Sequence, residues 1–131
     1  MSTESKNYLK IFFDGGSRGN PGPSAAAFVV FDDKGKKIIE SSKSLGKTTN
    51  NIAEYNGLLL SLEGIENLDV KNIIINTDSK LVFSQVKGLW KVKNDKILSI
   101  LVKIRDKLQK YETVDLLLIP REKNKIADRL V

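Results

Sequence analysis

The stretch Lys37–Ile65, KIIESSKSLGKTTNNIAEYNGLLLSLEGI, changes its hydrophobic period half-way along. Lys37 to Leu45 reads as extended chain. From residue 51 to 66, Ile52, Tyr55, Leu58, Leu59, Leu62 and Ile65 recur at three- and four-residue steps, the spacing of an amphipathic helix. Asn51, with Glu54 three residues on, has the form of a capping box that would open this helix. Upstream, Asn7 to Asp14 and Ala25 to Phe31 read as two more strands. They are separated by the turn-rich segment Gly15 to Pro23, and Asp32-Asp33-Lys34-Gly35 supplies a hairpin turn into Lys37. Three strands in a row with short turns make an antiparallel meander. Downstream, Asn72 to Thr77 reads as a short buried strand, Ser79 to Val86 as a short helix and Asp95 to Lys110 as a longer one. Val114 to Ile119 is a fifth strand, and Lys123 to Val131 the opening of a last helix. The order β-β-β-α-β-α-α-β-α predicts an α/β fold: a five-stranded mixed sheet, the three-strand antiparallel meander plus two parallel strands, flanked by helices.

At 131 residues, with no repeat, low-complexity tract or linker, the chain is expected to form one domain, residues 1–131. Hydrophobic residues make up 40% and charged residues 29%, enough for a normal core. Cysteine is absent, which excludes disulfides and thiolate metal sites. Histidine is absent too, so any metal would be a hard cation held by carboxylates. Residues 1–6 contain no apolar stretch and no run approaches membrane-spanning length, so a cytoplasmic protein with no membrane partner is expected. The formal net charge of +6 favours a polyanionic partner.

In sheets of this kind, sites form where strands end and helices begin. Four acids stand there: Asp14 at the end of the first strand, Glu54 in the opening of the first helix, Asp78 directly after the fourth strand, and Asp128 in the last helix. Each has a plainer reading taken alone. Asp14 could form a turn, Glu54 could complete the capping box, Asp78 could cap the helix at Ser79, and Asp128 could be a solvated helix residue.

Their surroundings change the weighting. Asp14 opens Asp14-Gly15-Gly16-Ser17-Arg18-Gly19-Asn20-Pro21-Gly22, and Glu54 lies in Thr49-Asn50-Asn51-Ile52-Ala53-Glu54. Asp78 lies in Thr77-Asp78-Ser79 and Asp128 in Asn124-Lys125-Ile126-Ala127-Asp128. In these four motifs, in this order, the chain resembles the type 1 ribonuclease H family over residues 9 to 131. The resemblance implies the ribonuclease H-like fold and an endoribonuclease that hydrolyses the RNA strand of RNA–DNA hybrids, leaving 5′-phosphate and 3′-hydroxyl ends. It implies two Mg²⁺ ions about 4 Å apart, with Mn²⁺ able to substitute. Asp14 would bridge both ions, Asp128 would help hold the one that activates water, and Glu54 and Asp78 the one facing the leaving oxygen.

The resemblance also suggests substrate contacts. Asn20, Asn50, Asn51 and the main chain of Gly15, Gly16 and Ser17 match positions that read 2′-hydroxyls in the minor groove, and Ser79 belongs to the third motif. Lys47 and Thr49 match a pocket for a phosphate of the DNA strand, with Asn94 as its third member. Trp90, in Lys87-Gly88-Leu89-Trp90-Lys91-Val92-Lys93, sits in what resembles a shortened basic protrusion, where lysines would meet phosphates. Packing on a deoxyribose and burial in the core are equal alternatives for that tryptophan. Lys80 stands where some relatives have a substrate-touching glutamine. The family's loop histidine has no counterpart, and Arg121 is the candidate substitute, with a solvated surface charge as its rival reading. Only three residues follow Asp128, so that ligand is expected on a helix end that frays.

The competing readings are a non-catalytic nucleic-acid binding module on the same fold, another nuclease such as a resolvase, and a basic structural protein. Retention of all four acids speaks against the first, the paired asparagines and Asn-Pro-Gly loop against the second, and four ordered motifs against the third. Double-stranded RNA stays open as a second partner. A monomer is the default, since no apolar stripe is left over once the core is assigned.

Overall fold

Alternation along β1 (Tyr8–Ser17) buries Leu9, Ile11 and Phe13 on one face of the strand. A computed structural model describes residues 7–131; residues 1–6, the segment expected to lack an apolar stretch, lie outside the described residues. β2 (Gly22–Phe31) and β3 (Lys37–Thr48) complete the antiparallel meander, and β4 (Asn72–Thr77) and β5 (Thr113–Leu118) extend it in parallel on the other side of β1. The strand order is β3-β2-β1-β4-β5, so β1 is central and the expected five-stranded mixed sheet is the one that forms.

Helix α1 (Asn50–Gly64) lies on the face that carries Ile11, Phe13 and Phe28, burying Tyr55, Leu58 and Leu62 against it. α3 (Asp95–Leu108) adds Ile97, Leu101 and Ile104 to the same core, and the short α2 (Lys80–Val86) adds Val82. A 3-10 turn, Arg121–Lys123, leads into α4 (Lys125–Leu130), whose Ala127 is fully buried. Among the described residues no helix is long and apolar enough to cross a membrane.

Several boundaries differ from the sequence reading, each for a local reason. The glycine-rich segment is mostly strand: Gly15, Gly16 and Ser17 pair with Ala26, Ala25 and Ser24, leaving only residues 18–21 as the turn. Small residues on both strands let the ladder run further than a turn-rich composition suggests. β3 likewise continues past Leu45, with Lys47 and Thr48 opposite Pro23 and Gly22. The N-cap of α1 is Thr49 rather than Asn51, because the Thr49 hydroxyl accepts from the Ile52 amide at 3.3 Å. Glu54 is therefore no partner in a capping box and is free for other work. Ser79, not Asp78, caps α2, its hydroxyl accepting from Val82 N at 3.1 Å. The last helix opens at Lys125, two residues later than expected, because the 3-10 turn takes residues 121–123.

β1 and β4 stay paired only as far as Phe12 and Asn76. Beyond that pair the two strands fork, and the carboxylates gather in the fork.

Candidate active site

Asp14 projects from β1 just past its last pairing with β4, and Asp78 follows the end of β4 directly. Glu54 arrives from above on α1. That helix can come close because two glycines face each other across the contact. A Cβ on Gly15 would stand 2.1 Å from the Ala53 carbonyl oxygen, and one on Gly57 2.6 Å from the Asp14 carbonyl oxygen. The result is a trio: one carboxylate oxygen each from Asp14, Glu54 and Asp78, all within 4.8 Å of one another. Asp14 and Glu54 are buried and Asp78 half-buried. Asp128, exposed on α4, stands beside Asp14 close enough for the two carboxyls to share a hydrogen bond.

Burial and mutual repulsion raise the affinity of this cluster for protons. Asp14 is pushed up to about 8, first by burial, then by the hydrogen bond with Asp128 and the charge of Asp78, while the Gly15 amide pulls it down. Glu54 is pushed up to about 7, chiefly by burial; a hydrogen bond from Ser79 opposes this, Asp78 adds to it, and the Arg121 cation opposes it. The donor set is oxygen only and anionic, which suits a hard divalent cation and relieves the repulsion when one binds.

The shifts fix a sign for stability. Both groups have folded values above their ordinary 3.8 and 4.5, so the unfolded chain holds fewer protons than the folded one between those values and the raised ones. Without divalent ions, stability should fall as pH climbs from about 4 towards about 8. Melting temperatures measured in chelator should therefore drop from about pH 5 to about pH 8, and added Mg²⁺ should restore more at the higher pH. A melting temperature in chelator that rises over this range would contradict the assignment.

Asn124 is a further member of the site, and its sequence motif alone assigns it no role. Its Nδ2 donates to the Phe13 carbonyl at 2.8 Å and to Asp78 Oδ2 at 2.9 Å. The first bond satisfies a β1 carbonyl just beyond the last β4 pair; the second fixes Asp78. Its place in Asn124-Lys125-Ile126-Ala127-Asp128 is the available signal, but which strands it joins depends on a contact 111 residues away in sequence.

The remaining expected residues divide. Arg121 is exposed in the 3-10 turn, with its charge felt at Glu54. The buried Ser79 caps α2 with its hydroxyl and also lowers the proton affinity of Glu54. Of the main chain expected to read the substrate, the Gly15 amide donates to Asp14 Oδ1 at 2.9 Å and the Ser17 amide to Asn50 Oδ1 at 3.3 Å. Gly16 is half-buried beside Asn50. Asn20 Oδ1 accepts from the Asn50 amide at 3.1 Å, which ties the 18–21 turn to the start of α1, and Asn51 is exposed on that first turn. Lys47 is exposed at the end of β3, whereas Thr49 and Asn94 both use their side-chain oxygens as helix caps. Trp90 is not core: it is 46% exposed, with the Lys80 ammonium 5.9 Å from its ring centre.

Several known proteins resemble this chain in sequence and fold. A family described as "Reverse transcriptase-like" matches residues 12–131. Ribonuclease HI of Halobacterium salinarum is 34% identical over 122 residues, 93% of this chain. The chain belongs to the type 1 ribonuclease H family. A crystal structure of RNase H1 from Halobacterium salinarum superposes with a TM-score of 0.90 at 33% identity, covering 94% of this chain and 93% of that one. LC11-RNase H1, solved in complex with RNA/DNA hybrid, gives 0.87 at 38% identity, over 94% of this chain and 93% of that one. The bifunctional protein Rv2228c of Mycobacterium tuberculosis is 39% identical over 118 residues, 89% of this chain. The chain spans 32% of the length of the mycobacterial relative and 61% of the Halobacterium one.

Proposed function

We propose that this chain is a ribonuclease H that cuts the RNA strand of RNA–DNA hybrids in a metal-dependent hydrolysis. The observation that carries the reading is the trio of Asp14, Glu54 and Asp78, three carboxylates from three elements held within 4.8 Å at a strand fork. A cluster of anions that costs stability by itself is readily understood as a seat for cations. The hybrid bound by LC11-RNase H1, at 38% identity, supports the substrate class.

Asp14, Glu54, Asp78 and Asp128 would hold two divalent ions, Mg²⁺ in the cell, with Mn²⁺ able to replace it. Such ions, when bound, supply an activated water and neutralise charge on the phosphoryl group and the departing oxygen, which accounts for 5′-phosphate and 3′-hydroxyl products. The protein's part is to keep the carboxylates in place: Asn124 anchors Asp78, and the Gly15 amide anchors Asp14. Arg121, exposed and with its charge felt at Glu54, would hold the scissile phosphate as its bond breaks. Asn20, Asn50 and Asn51, gathered about the start of α1, would meet RNA 2′-hydroxyls, while Lys47, Thr49 and Asn94 would meet the DNA strand.

The test is cleavage of labelled RNA–DNA hybrid, RNA duplex and DNA duplex, each with Mg²⁺, with Mn²⁺ and with chelator. Metal-dependent cutting of the hybrid's RNA strand is the expected result. Cutting of the RNA duplex as well would widen the substrate class, and a hybrid bound but left intact with both metals would leave a non-catalytic binding module.

A further inference from the structure

Gln85 is a buried polar residue near the end of α2, and the carboxylate cluster makes no use of it. Both ends of its side chain are engaged. Its Oε1 accepts from the Tyr55 hydroxyl at 2.7 Å, and its Nε2 donates to the Lys91 carbonyl at 3.1 Å. Tyr55 is fully buried on α1, next in sequence to Glu54. Lys91 lies in the segment between α2 and α3, where Lys87, Leu89, Trp90, Lys91 and Lys93 are all exposed or half-exposed. The segment is further tied to the end of α2: Gly88, in a left-handed turn at φ 80, donates to the Gln85 carbonyl, and the Leu89 and Trp90 amides both donate to the Ser84 carbonyl.

We propose that Gln85 is a positioning residue for nucleic-acid binding: it locks the lysine-bearing segment 87–93 to the helix that carries Glu54. The proposal rests on the hybrid-cleavage reading above. A polyanion binds a lysine-rich segment more tightly when the segment is already ordered, because ordering it on contact costs entropy. Beyond the helix end, Lys91 has no ladder or helix to hold its carbonyl, and the Gln85 amide fills that role. Through Tyr55 the same amide fixes where the lysines stand relative to Glu54, so phosphates gripped by the segment are held in register with the point of cleavage. Gln85 never touches the substrate.

The substitution Gln85→Met keeps the volume and removes both hydrogen bonds. It should raise KM for the hybrid about tenfold while kcat stays within about twofold of wild type. Two readouts independent of turnover go with it. Hybrid affinity measured by fluorescence anisotropy in chelator should weaken by a similar factor, and amide hydrogen exchange of residues 87–91 should speed up. Unchanged affinity with unchanged exchange would overturn the proposal. A fall in kcat at constant KM would overturn it too, since Gln85 would then act on Glu54 alone. If Gln85→Met does not fold, Tyr55→Phe, which deletes one hydroxyl, goes into the same assays, and the same results support or overturn the clamp. A wild-type protein that binds hybrid without cutting it would defeat the cleavage reading, but anisotropy and exchange would still judge the clamp.

Discussion

Asp78→Asn is expected to reduce metal-dependent cleavage of the hybrid by more than about 100-fold, the upper range for losing an outer-shell partner of a metal ligand. The substitution removes a charge and almost nothing else. An asparagine oxygen can still accept from Asn124 Nδ2, which stands 2.9 Å from Asp78 Oδ2, so the fork should keep its shape. The charge lost is one that raises both Asp14 and Glu54. Both should therefore ionise at lower pH in the variant, and its metal-free form should melt no lower than wild type at neutral pH. Single-turnover cleavage, Mn²⁺ calorimetry and a melting curve separate these effects. Cleavage within about tenfold of wild type would remove Asp78 from the set of metal ligands.

Gly15→Ala is expected to damage both the fold and the site. Its Cβ would stand 2.1 Å from the Ala53 carbonyl oxygen, 2.2 Å from the Ala53 carbonyl carbon and 2.5 Å from the Glu54 amide nitrogen. All three are backbone atoms, so no rotamer change relieves the clash and α1 must lift from β1. The loss should be at the upper end of overpacking penalties, ~1–3 kcal/mol or more, read as a lower denaturation midpoint. Because Glu54 rides on the displaced helix, Mn²⁺ affinity and cleavage should fall as well, even at temperatures where the variant is folded. Gly35→Ala is the control. Nothing lies within 4 Å of its Cβ, but φ is +83°, so only a strain cost of ~1–2 kcal/mol is expected, with metal binding intact. A Gly15→Ala protein that binds Mn²⁺ like wild type would show that this close crossing does not set the carboxylate spacing.

Gly15 also shows where reading from sequence alone falls short. A glycine beside a candidate catalytic acid reads as backbone room for nucleic acid; in the folded protein the room is taken by α1. The residue type announces a close approach, but the partner lies 38 residues away along the chain. The same holds for Glu54. Its three-residue spacing from Asn51 matches a capping box, yet Thr49 caps the helix and Glu54 turns inward. For Trp90 the sequence leaves packing on a deoxyribose and burial in the core equal, and the folded chain leaves it 46% exposed. Gln85 carries no signal, since a glutamine near a helix end is ordinarily solvated.

Period and turn chemistry act over a few residues, and so the chain's local pattern by itself determined the order of elements, the hairpin at Asp32 to Gly35, the mixed sheet and the junctions where Asp14, Glu54, Asp78 and Asp128 stand. The ordered motifs determined the family. Tertiary structure alone decided that three of those acids meet within 4.8 Å while Asp128 stands beside Asp14, that Asn124 bridges the fork, and that Gln85 ties the lysine segment to α1. Those outcomes depend on which surfaces can approach without a Cβ between them and on which buried polar groups find partners. Both are properties of residues far apart in the chain, brought together only when the core packs.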